Sequence, residues 1–346
     1  MAHNIYKIEQ LRKCDKLFDI QVINKRAKAK FSQEPLMEVM RNLDSPYANK
    51  YDDTYHCGGV IEQNGNFITS SYCRHRWCKI CNRHRTGKLI AGYEEAINEM
   101  KDKQFVTLTI PNVSADILRK TIKTMIAVIR KIQDKRRKAN EILIRGIRKL
   151  ECTFNPRRND FHPHFHFILD GEESAKYLID QWLIYFPSAV REAQDYRIAD
   201  KPIELFKYFT KLTSKTSQEY ANGSKLNDEY AYPEALDIIF RSIEKLRIVQ
   251  PMGGITMVSD EIDEYITEEA DETLVDTKKH RREIFIWMDD NWINPYTGEC
   301  FSSFKPDKNL KYYRKKIRYL DSKITFDAIQ NKKTFLPSSQ ETWSAN

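Results

Sequence analysis

Three short runs of apolar residues have the composition of β-strands. They cover residues 105–110, 147–154 and 161–169, and the third ends at the turn signal Asp170-Gly171. In that third run, histidines and apolar residues alternate, which is the spacing of a strand with one face packed on a core. The pattern therefore predicts three strands in the middle of the chain.

Helical spacing, with apolar residues three or four positions apart, marks further segments. Residues 114–137 show it most clearly, because Ile122, Met125 and Ile129 recur along one stripe. The same spacing and the start signals at Asp200 and Pro202 predict helices over 174–185, 202–215 and 233–245.

Polar segments separate these elements. Residues 216–228, rich in Ser, Asn and Gly, predict a loop, and the acidic stretch after Ser259 predicts a solvated linker. Only one or two connections between strands are long enough for a parallel crossover. The pattern therefore favours an α+β fold with a mainly antiparallel sheet over a doubly wound parallel sheet.

Changes of composition divide the chain into four parts. We predict a polar helical extension at 1–55, a cysteine cluster at 56–90, a domain of interleaved strands and helices at 91–256, and an acidic linker with a basic, aromatic region at 257–346. We find no internal repeat, and no apolar run approaches the length of a membrane span.

The charge balance points towards a polyanionic partner. The chain has 57 basic and 49 acidic residues, a net charge of +8. Residues 259–276 hold nine acidic residues and no Lys or Arg, so the rest of the chain carries +17. Such an excess favours nucleic acid, although many basic proteins bind none. Basic runs at 130–138 and 305–318 could contact nucleic acid, but such runs are more often solvated helix faces.

The chain begins without an apolar signal region and contains seven cysteines. An odd number of cysteines without a secretion signal indicates reduced thiols, with metal binding favoured over disulfides. We therefore expect a cytoplasmic protein.

Three histidines carry the strongest chemical signal. In the segment FHPHFHF, His162, His164 and His166 occupy every second position, so a strand places all three on one face. Converging imidazoles are ligands for a divalent metal, and the apolar side chains of the other face would anchor them. The alternative is a surface strand that contains these histidines by chance and binds no metal. A His-x-His-x-Asp-His metallohydrolase is less apt, because Phe167 and Ile168 stand where its Asp and His should follow.

A carboxylate on the preceding strand is a candidate fourth ligand. Glu151 shares a strand face with Lys149 and Thr153. If the two strands are neighbours, Glu151 could complete the metal set, and otherwise it is an ordinary solvent-facing glutamate.

A tyrosine is the candidate nucleophile. Helical spacing would place Glu204, Tyr208 and Lys211 on one polar stripe. A tyrosine there is usually amphipathic packing, but the histidines make Tyr208 a candidate, and Lys211 would favour its phenolate.

Four cysteines form a second candidate metal site. Cys57, Cys73, Cys78 and Cys81 are separated by 15, four and two residues. Four thiolates in a short segment suit tetrahedral structural Zn²⁺, and the last pair has the spacing of a zinc knuckle. A redox Cys-x-x-Cys pair is an alternative, which the two further cysteines disfavour. His75 or His84 could replace one ligand.

These motifs follow one another in an order that resembles a known family. They are Cys57-Gly-Gly, Cys73-Arg-His-Arg-Trp-Cys78-x-x-Cys81, FVTLTIPN, RKLECTFN, HPHFHFIL and ELFKYFTK. The combination, over about residues 55–255, is similar to rolling-circle Rep proteins of small Gram-positive plasmids, a branch of the His-hydrophobe-His (HUH) endonucleases. One departure is Trp77-Cys78-Lys79, where relatives often have Cys-Pro; it touches no catalytic position.

The resemblance implies a ferredoxin-like HUH core that nicks one strand of DNA at the double-strand origin. It assigns Mn²⁺ or Mg²⁺ to His164 and His166, with His162 as a further ligand. It assigns the attack to Tyr208, which would leave a 5′-phosphotyrosyl link and a free 3′-OH primer, and it associates Glu204 with termination.

The implied partner is plasmid origin DNA, single-stranded or extruded as a hairpin at the nick site. A polymerase would extend the 3′-OH, and the sequence leaves open whether a host helicase is recruited and whether the chain forms a homodimer. No membrane partner is expected.

Other functions stay open at this point. A conjugative relaxase or a transposase would share the histidines and the tyrosine but usually has extra domains. A non-enzymatic, zinc-containing DNA-binding protein would use the cysteines and the charge but would leave the histidines unexplained.

Overall fold

The computed structural model describes residues 20–65, 67–206, 214–219, 225–262, 265–269, 282–308, 310–311 and 318–319. Its α-helices are α1 (Ile20–Arg41), α2 (Ala48–His56), α3 (Lys79–Asn98), α4 (Ala115–Lys138), α5 (Glu172–Tyr185) and α6 (Pro233–Ser242). Two short 3-10 helices cover Arg191–Ala193 and Pro202–Phe206.

The strands form three sheets. They are β1 (Val60–Asn64), β2 (Phe67–Ser71), β3 (Lys103–Thr109), β4 (Gly146–Asn155), β5 (Asp160–Asp170), β6 (Asp195–Ile198), β7 (Ser214–Glu219), β8 (Lys225–Ala231), β9 (Val249–Met252), β10 (Tyr265–Glu269), β11 (Arg282–Met288), β12 (Asn291–Ile293) and β13 (Arg318–Tyr319). Every pairing among them is antiparallel except that of β13 with β8. The predicted α+β class with mainly antiparallel sheets is therefore confirmed.

The central sheet contains the three strands expected from the sequence. Its order is β6-β3-β5-β4-β9, and the chain passes through it as β3-α4-β4-β5-α5-β6 before β9 is added at the edge. Strand β5 lies in the middle, between β3 and β4. Its residues are therefore held by backbone hydrogen bonds on both sides, which fixes their positions closely.

One face of the central sheet forms the main core with helices α4 and α5. The odd-numbered positions of β5 point there, so Phe161, Phe165 and Phe167 are fully buried. The ring of Phe165 lies 5.9 Å from that of Trp182, whose Nε1 donates a hydrogen bond to the carbonyl of Thr109 at 2.8 Å. Each phenylalanine contributes about 1.5–3 kcal/mol by burial, which anchors the strand independently of its histidines.

The opposite face of this sheet is only partly covered. Ile147 of β4 and Ile168 of β5 pack against Leu89 and Tyr93 of α3 and against Leu205 of the second 3-10 helix. The even-numbered positions of β5 that precede Ile168 are the histidines, and they occupy the same face beside this cover.

The second sheet joins two distant parts of the chain. Its order is β10-β2-β1-β11-β12, so strands from the predicted cysteine segment pair with strands from the C-terminal region. Ile23 of α1 packs in the same cluster as Ile61, Phe285 and Trp292. Helix α3 also runs across the boundary predicted at residue 90. The four-part division of the chain stays a prediction.

Two expectations around residue 210 are contradicted where the structure describes the chain. Of the helix predicted over 202–215, Pro202–Phe206 form a 3-10 helix, and the last two residues, Ser214 and Lys215, belong to β7. The predicted loop at 216–228 contains most of the paired residues of β7 and β8, whose polar composition concealed the strands. Residues 207–213 and 220–224 lie outside the described part.

The acidic linker expectation is also partly wrong. Tyr265–Glu269 forms β10 and pairs with β2 along its full length. The first three of these residues, Tyr, Ile and Thr, favour strands, and an open edge of β2 offers them backbone hydrogen bonds. None of the helices in the described ranges is long and apolar enough to cross a membrane.

Candidate metal centres and the cavity beside them

The register of the central sheet places the candidate ligands side by side. Glu151 of β4 is the direct partner of His164 of β5, and Lys149 is the partner of His166. Because neighbouring strands are in register, the carboxylate lies between the two imidazoles on the partly covered face. The two strands are thus neighbours, as ligation by Glu151 requires.

Glu151, His164 and His166 form a compact group. One ligand atom from each lies within 4.8 Å of the others. The Oε2 atom of Glu151 is 3.6 Å from Nε2 of His164 and 3.8 Å from Nε2 of His166. These separations suit three ligands around one cation, since metal–ligand distances near 2 Å leave the ligand atoms about 3 Å apart.

Hydrogen bonds orient both imidazoles of this group. Nδ1 of His164 lies 3.0 Å from the carbonyl oxygen of His162, and Nδ1 of His166 lies 3.1 Å from Oγ1 of Thr107 on β3. A backbone carbonyl can only accept, so Nδ1 of His164 is the donor of this bond, and Nε2 is the ring nitrogen that faces Glu151. Such hydrogen bonds to the second ring nitrogen are typical of metal-binding histidines.

The electrostatics favour an ionised Glu151 beside a neutral His166 ring. Burial opposes ionisation of Glu151, but its hydrogen bond to His164 and the charge of Lys149 outweigh burial and lower the pKa of Glu151 to about 2. Burial lowers the pKa of His166 to about 4. Nζ of Lys149 lies 2.8 Å from Oε1 of Glu151. An anionic carboxylate and a neutral imidazole are the protonation states that bind metals.

His162 lies next to this group but outside it. Its ring centroid is 5.2 Å from that of His164, and its Nδ1 is 2.8 Å from Oδ1 of Asn112. Burial lowers the pKa of His162, with a further contribution from His164. The three histidines do share one strand face, but the described structure brings only two of them together with Glu151.

A cavity of about 460 Å³ opens beside the Glu151 group. Glu151 and His166 line it together with Arg197 of β6 and with Asp200 and Lys201, which follow that strand. Leu205 also lines it. The cavity therefore combines candidate metal ligands with cations that could hold phosphates.

The three remaining predicted site residues are less completely described. Glu204 lies in the 3-10 helix Pro202–Phe206, next to Leu205. Tyr208 and Lys211 fall within residues 207–213, outside the described part. Leu205, which lines the cavity, precedes Tyr208 by three residues in the sequence.

The four predicted cysteines form a second compact group. Cys57, Cys73, Cys78 and Cys81 place their sulfur atoms within 4.8 Å of one another. Sγ of Cys57 is 3.6 Å from Sγ of Cys81, and Sγ of Cys73 is 3.7 Å from the same atom. Four sulfurs on a tetrahedron of Zn–S distance near 2.3 Å would lie about 3.8 Å apart. The arrangement is therefore compatible with a tetrahedral metal site.

Backbone amides support these sulfurs. The N–H of Cys81 donates to Sγ of Cys78, which caps the start of α3, and the N–H of Cys73 donates to Sγ of Cys57, both at 3.4 Å. Burial opposes ionisation of Cys78, but hydrogen bonds from the three neighbouring thiols lower the pKa of Cys78 well below its usual value. A low thiol pKa favours the thiolate that a metal requires.

The two histidines considered as substitute ligands have other contacts. The ring of His75 stacks on Trp77 with centroids 4.9 Å apart, and its Nε2 lies 3.4 Å from Oδ2 of Asp53. The ring of His84 meets the ring of Tyr72 edge-on. Neither belongs to the cysteine group among the described residues.

Sequence reasoning missed several side chains that support the Glu151 group. Lys149 was noticed only as a neighbour on its strand, whereas it forms an ion pair with Glu151. Thr107 and Asn112, which contact His166 and His162, belong to β3 and its continuation. Knowledge that β3 pairs with β5 would have been needed to find them, and a single sequence carries no direct signal of that pairing.

Comparison with known sequences identifies the family. A family profile described as "Replication protein" matches residues 65–291, about two thirds of the chain. The chain belongs to this replication-protein family. The matched region contains the Glu151 group and three of the four cysteines, and it begins after Cys57. The resemblance to the Rep proteins of Gram-positive plasmids is thereby confirmed, and it supports a role in plasmid replication initiation.

Individual relatives agree with this assignment. The chain is 30% identical over 169 residues to "Protein rep" of Staphylococcus aureus, a match that covers 44% of this chain and 73% of the relative. It is 33% identical over 104 residues to "Protein rep" of Bacillus amyloliquefaciens, covering 28% of this chain and 30% of that relative. The chain thus spans most of the staphylococcal relative but less than a third of the Bacillus one. No solved structure matches.

Proposed function

We propose that this chain initiates rolling-circle replication by nicking one strand of plasmid origin DNA, with Tyr208 as the nucleophile. The observation that carries the proposal is the group formed by Glu151, His164 and His166 at the wall of a cavity that also contains Arg197 and Lys201. Membership of the replication-protein family supplies the biological setting.

The arrangement of the central sheet supports the proposed HUH core. The passage β3-α4-β4-β5-α5-β6 is a βαββαβ unit with β3 and β5 as its central strands. This is the arrangement of a ferredoxin-like fold. The histidines lie on β5, one of the two central strands, so the most rigid part of the sheet presents them.

The Glu151 group fits a divalent cation. Two Nε2 atoms and one carboxylate face one another, and the Nδ1 atoms of both rings are engaged elsewhere. Such a set accepts Mn²⁺ readily and Mg²⁺ more weakly. A bound cation would polarise a non-bridging oxygen of the scissile phosphate. We propose Zn²⁺ for the cysteine group, because soft thiolates prefer it.

The protein's own residues would perform the strand transfer. Arg197 and Lys201 hold phosphates of single-stranded DNA in the cavity. The phenolic oxygen of Tyr208 forms a bond to phosphorus while the bond from phosphorus to the 3′ oxygen breaks. The phenol proton is lost and the departing 3′ oxygen takes up a proton, which leaves a 5′-phosphotyrosyl link and a free 3′-OH.

A single assay tests this proposal. The protein is incubated with an end-labelled single-stranded origin oligonucleotide and Mn²⁺, and covalent adducts are separated on a denaturing gel. Wild-type protein and the control Tyr196→Phe, on the edge strand β6, should form the adduct, and Tyr208→Phe should form none while it still binds DNA. An adduct on Tyr208→Phe, or equal adduct formation in EDTA, would refute the mechanism.

A further inference from the structure

A second cavity, of about 540 Å³, lies on the other face of the central sheet. Arg148 of β4 lines it, and Arg148 is adjacent in sequence to Lys149, whose side chain points towards Glu151. Because successive side chains of a strand point to opposite faces, this cavity is separated from the Glu151 group by the sheet itself. Helix α4, strand β9 and the turn after β9 form its remaining walls.

The cavity is strongly cationic. Arg130 and Arg137 of α4, Arg148 of β4, and Lys245 and Arg247 before β9 all line it. Among the described residues, its one acidic lining residue is Asp134, which is already paired with Arg137 at 2.5 Å. The excess positive charge therefore has no acid within the cavity to balance it.

Arg148 gives a further indication, independent of the net charge of the cavity, that a ligand binds there. Its side chain is 98% buried, and its Cζ lies 4.7 Å from the centre of the Phe165 ring. Nη2 donates to the carbonyl of Arg247 at 3.2 Å, whereas Nη1 is buried without a hydrogen-bond partner among the described residues. Burial and the nearby Arg130 lower the pKa of Arg148 to about 9, so the group is still cationic at neutral pH. A buried cation with an unused donor is costly unless an anion meets it.

The remaining walls suit the rest of a nucleotide. Ile126, Ile129, Leu246 and Met252 provide an aliphatic surface beside the arginines. Gly253 has a positive φ of 63°, and a Cβ there would lie 2.4 Å from the carbonyl oxygen of Ile144, so the turn that forms the rim requires glycine. The result is an open pocket lined by both cations and aliphatic side chains, which suits the phosphate and the nucleoside of a nucleotide.

We propose that this cavity binds a nucleotide unit, with its phosphate at Arg148 and Arg130 and its nucleoside against the aliphatic wall. The nucleotide would come from a strand of DNA that passes behind the catalytic face, so the protein would hold DNA on both faces of one sheet. The site does not depend on the nicking chemistry, because neither the Glu151 group nor the described residues Pro202–Phe206 line it.

The test measures binding of deoxyadenosine monophosphate and of inorganic phosphate to the full chain, by calorimetry and by the shift in melting temperature, in the presence of EDTA. The mononucleotide should bind more tightly than phosphate alone, and His166→Ala should not alter binding. Arg130→Gln should weaken mononucleotide binding by at least about tenfold. Lys131→Gln, which removes the neighbouring charge of α4 outside the cavity, should leave it unchanged.

The variant Arg148→Met should give a result that a general loss of positive charge would not give. It should abolish ligand-induced stabilisation while the ligand-free protein melts at the same or a higher temperature, because a buried unpaired charge is removed. Displacement of the mononucleotide by a short single-stranded oligonucleotide supports DNA as the source, and lack of displacement supports a free nucleotide in the same cavity. Absence of mononucleotide binding to the wild type, or equal weakening by Arg130→Gln and Lys131→Gln, would overturn the proposal.

Discussion

His164 and His162 differ in what their ring nitrogens contact. Nε2 of His164 faces Glu151, whereas His162 is engaged with Asn112 and lies outside the group. We therefore expect His164→Ala to reduce Mn²⁺-dependent nicking by more than about 100-fold, and His162→Ala to reduce it by roughly 10- to 100-fold at most, the range for removal of an outer contact. Nicking rates measured across a range of Mn²⁺ concentrations test this.

Neither substitution should unfold the protein, because the phenylalanines on the other face of β5 carry the packing. Thermal melts of both variants provide the control. Equal losses of nicking for His162→Ala and His164→Ala, with unchanged melts, would place His162 among the ligands.

Glu204 has a separate predicted role at the end of replication. It stands four residues before Tyr208 in the sequence, where a carboxylate can act as general base for water that attacks the second phosphate, for a gain of roughly 10²–10⁴-fold. Glu204→Ala should then nick at nearly the wild-type rate but terminate poorly and accumulate multimeric single strands, seen on Southern blots of plasmid DNA. If termination is unchanged, Glu204 only makes surface contacts; a parallel loss of nicking would give it a structural or metal-site role.

The sequence predicted the residues of both candidate metal groups, for a physical reason. Alternation at period two in β5 and the close spacing of Cys78 and Cys81 are local patterns, which one segment displays by itself. The contacts of Lys149 and Thr107 depend on the pairing of separate strands. Such non-local contacts leave no periodic signature in a single chain.

Helix α3 links the two candidate metal groups. It begins at Cys78, and its side chains Leu89 and Tyr93 pack on Ile147 and Ile168, the residues that continue the face of the Glu151 group. We expect one zinc per chain by elemental analysis. Cys78→Ser should lose this zinc, lower the melting temperature, and reduce nicking even with Mn²⁺ in excess, because the start of α3 is no longer held.

Cys300→Ser is the matched control, since Cys300 lies outside the cysteine group. It should retain zinc and activity. Zinc-free protein that melts and nicks like the wild type would contradict a structural role for the metal.

The sequence predicted strands and helices correctly where burial of one face spaces the apolar residues regularly. It failed where the residues of an element show no such spacing. Strands β3, β4 and β5 and helix α4 carry apolar residues at the spacing of their structure. Strands β7 and β8 are made largely of polar residues, so their composition resembles a loop. Strand β10 lies within an acidic stretch, and its pairing with β2 overrides that composition.

Across the whole molecule, the second sheet holds the cysteine group from the C-terminal side. Trp292 is fully buried, and its Nε1 donates to the carbonyl of Gly58, the residue after Cys57, at 2.8 Å. Trp292→Ala should cost about 3–5 kcal/mol of unfolding free energy by chemical denaturation. It should also speed the release of zinc to a chelator.

The exposed Tyr296 lies close to Trp292 in sequence, and Tyr296→Ala should change neither quantity. If Trp292→Ala lowers stability but leaves zinc release unchanged, the second sheet does not secure the cysteine group.

The pairing of β1 with β11 also sets an order of events during synthesis of the protein. Val60 pairs with Ile286, more than 200 residues later. A ribosome that adds about 5–20 residues per second needs roughly 10–45 s to cover that interval. The central sheet is complete once β9 has emerged, well before β11 does. The nascent chain therefore carries an unpaired edge on β1 throughout this time, and the cysteine group gains the support of the second sheet only after β11 and β12 have been made.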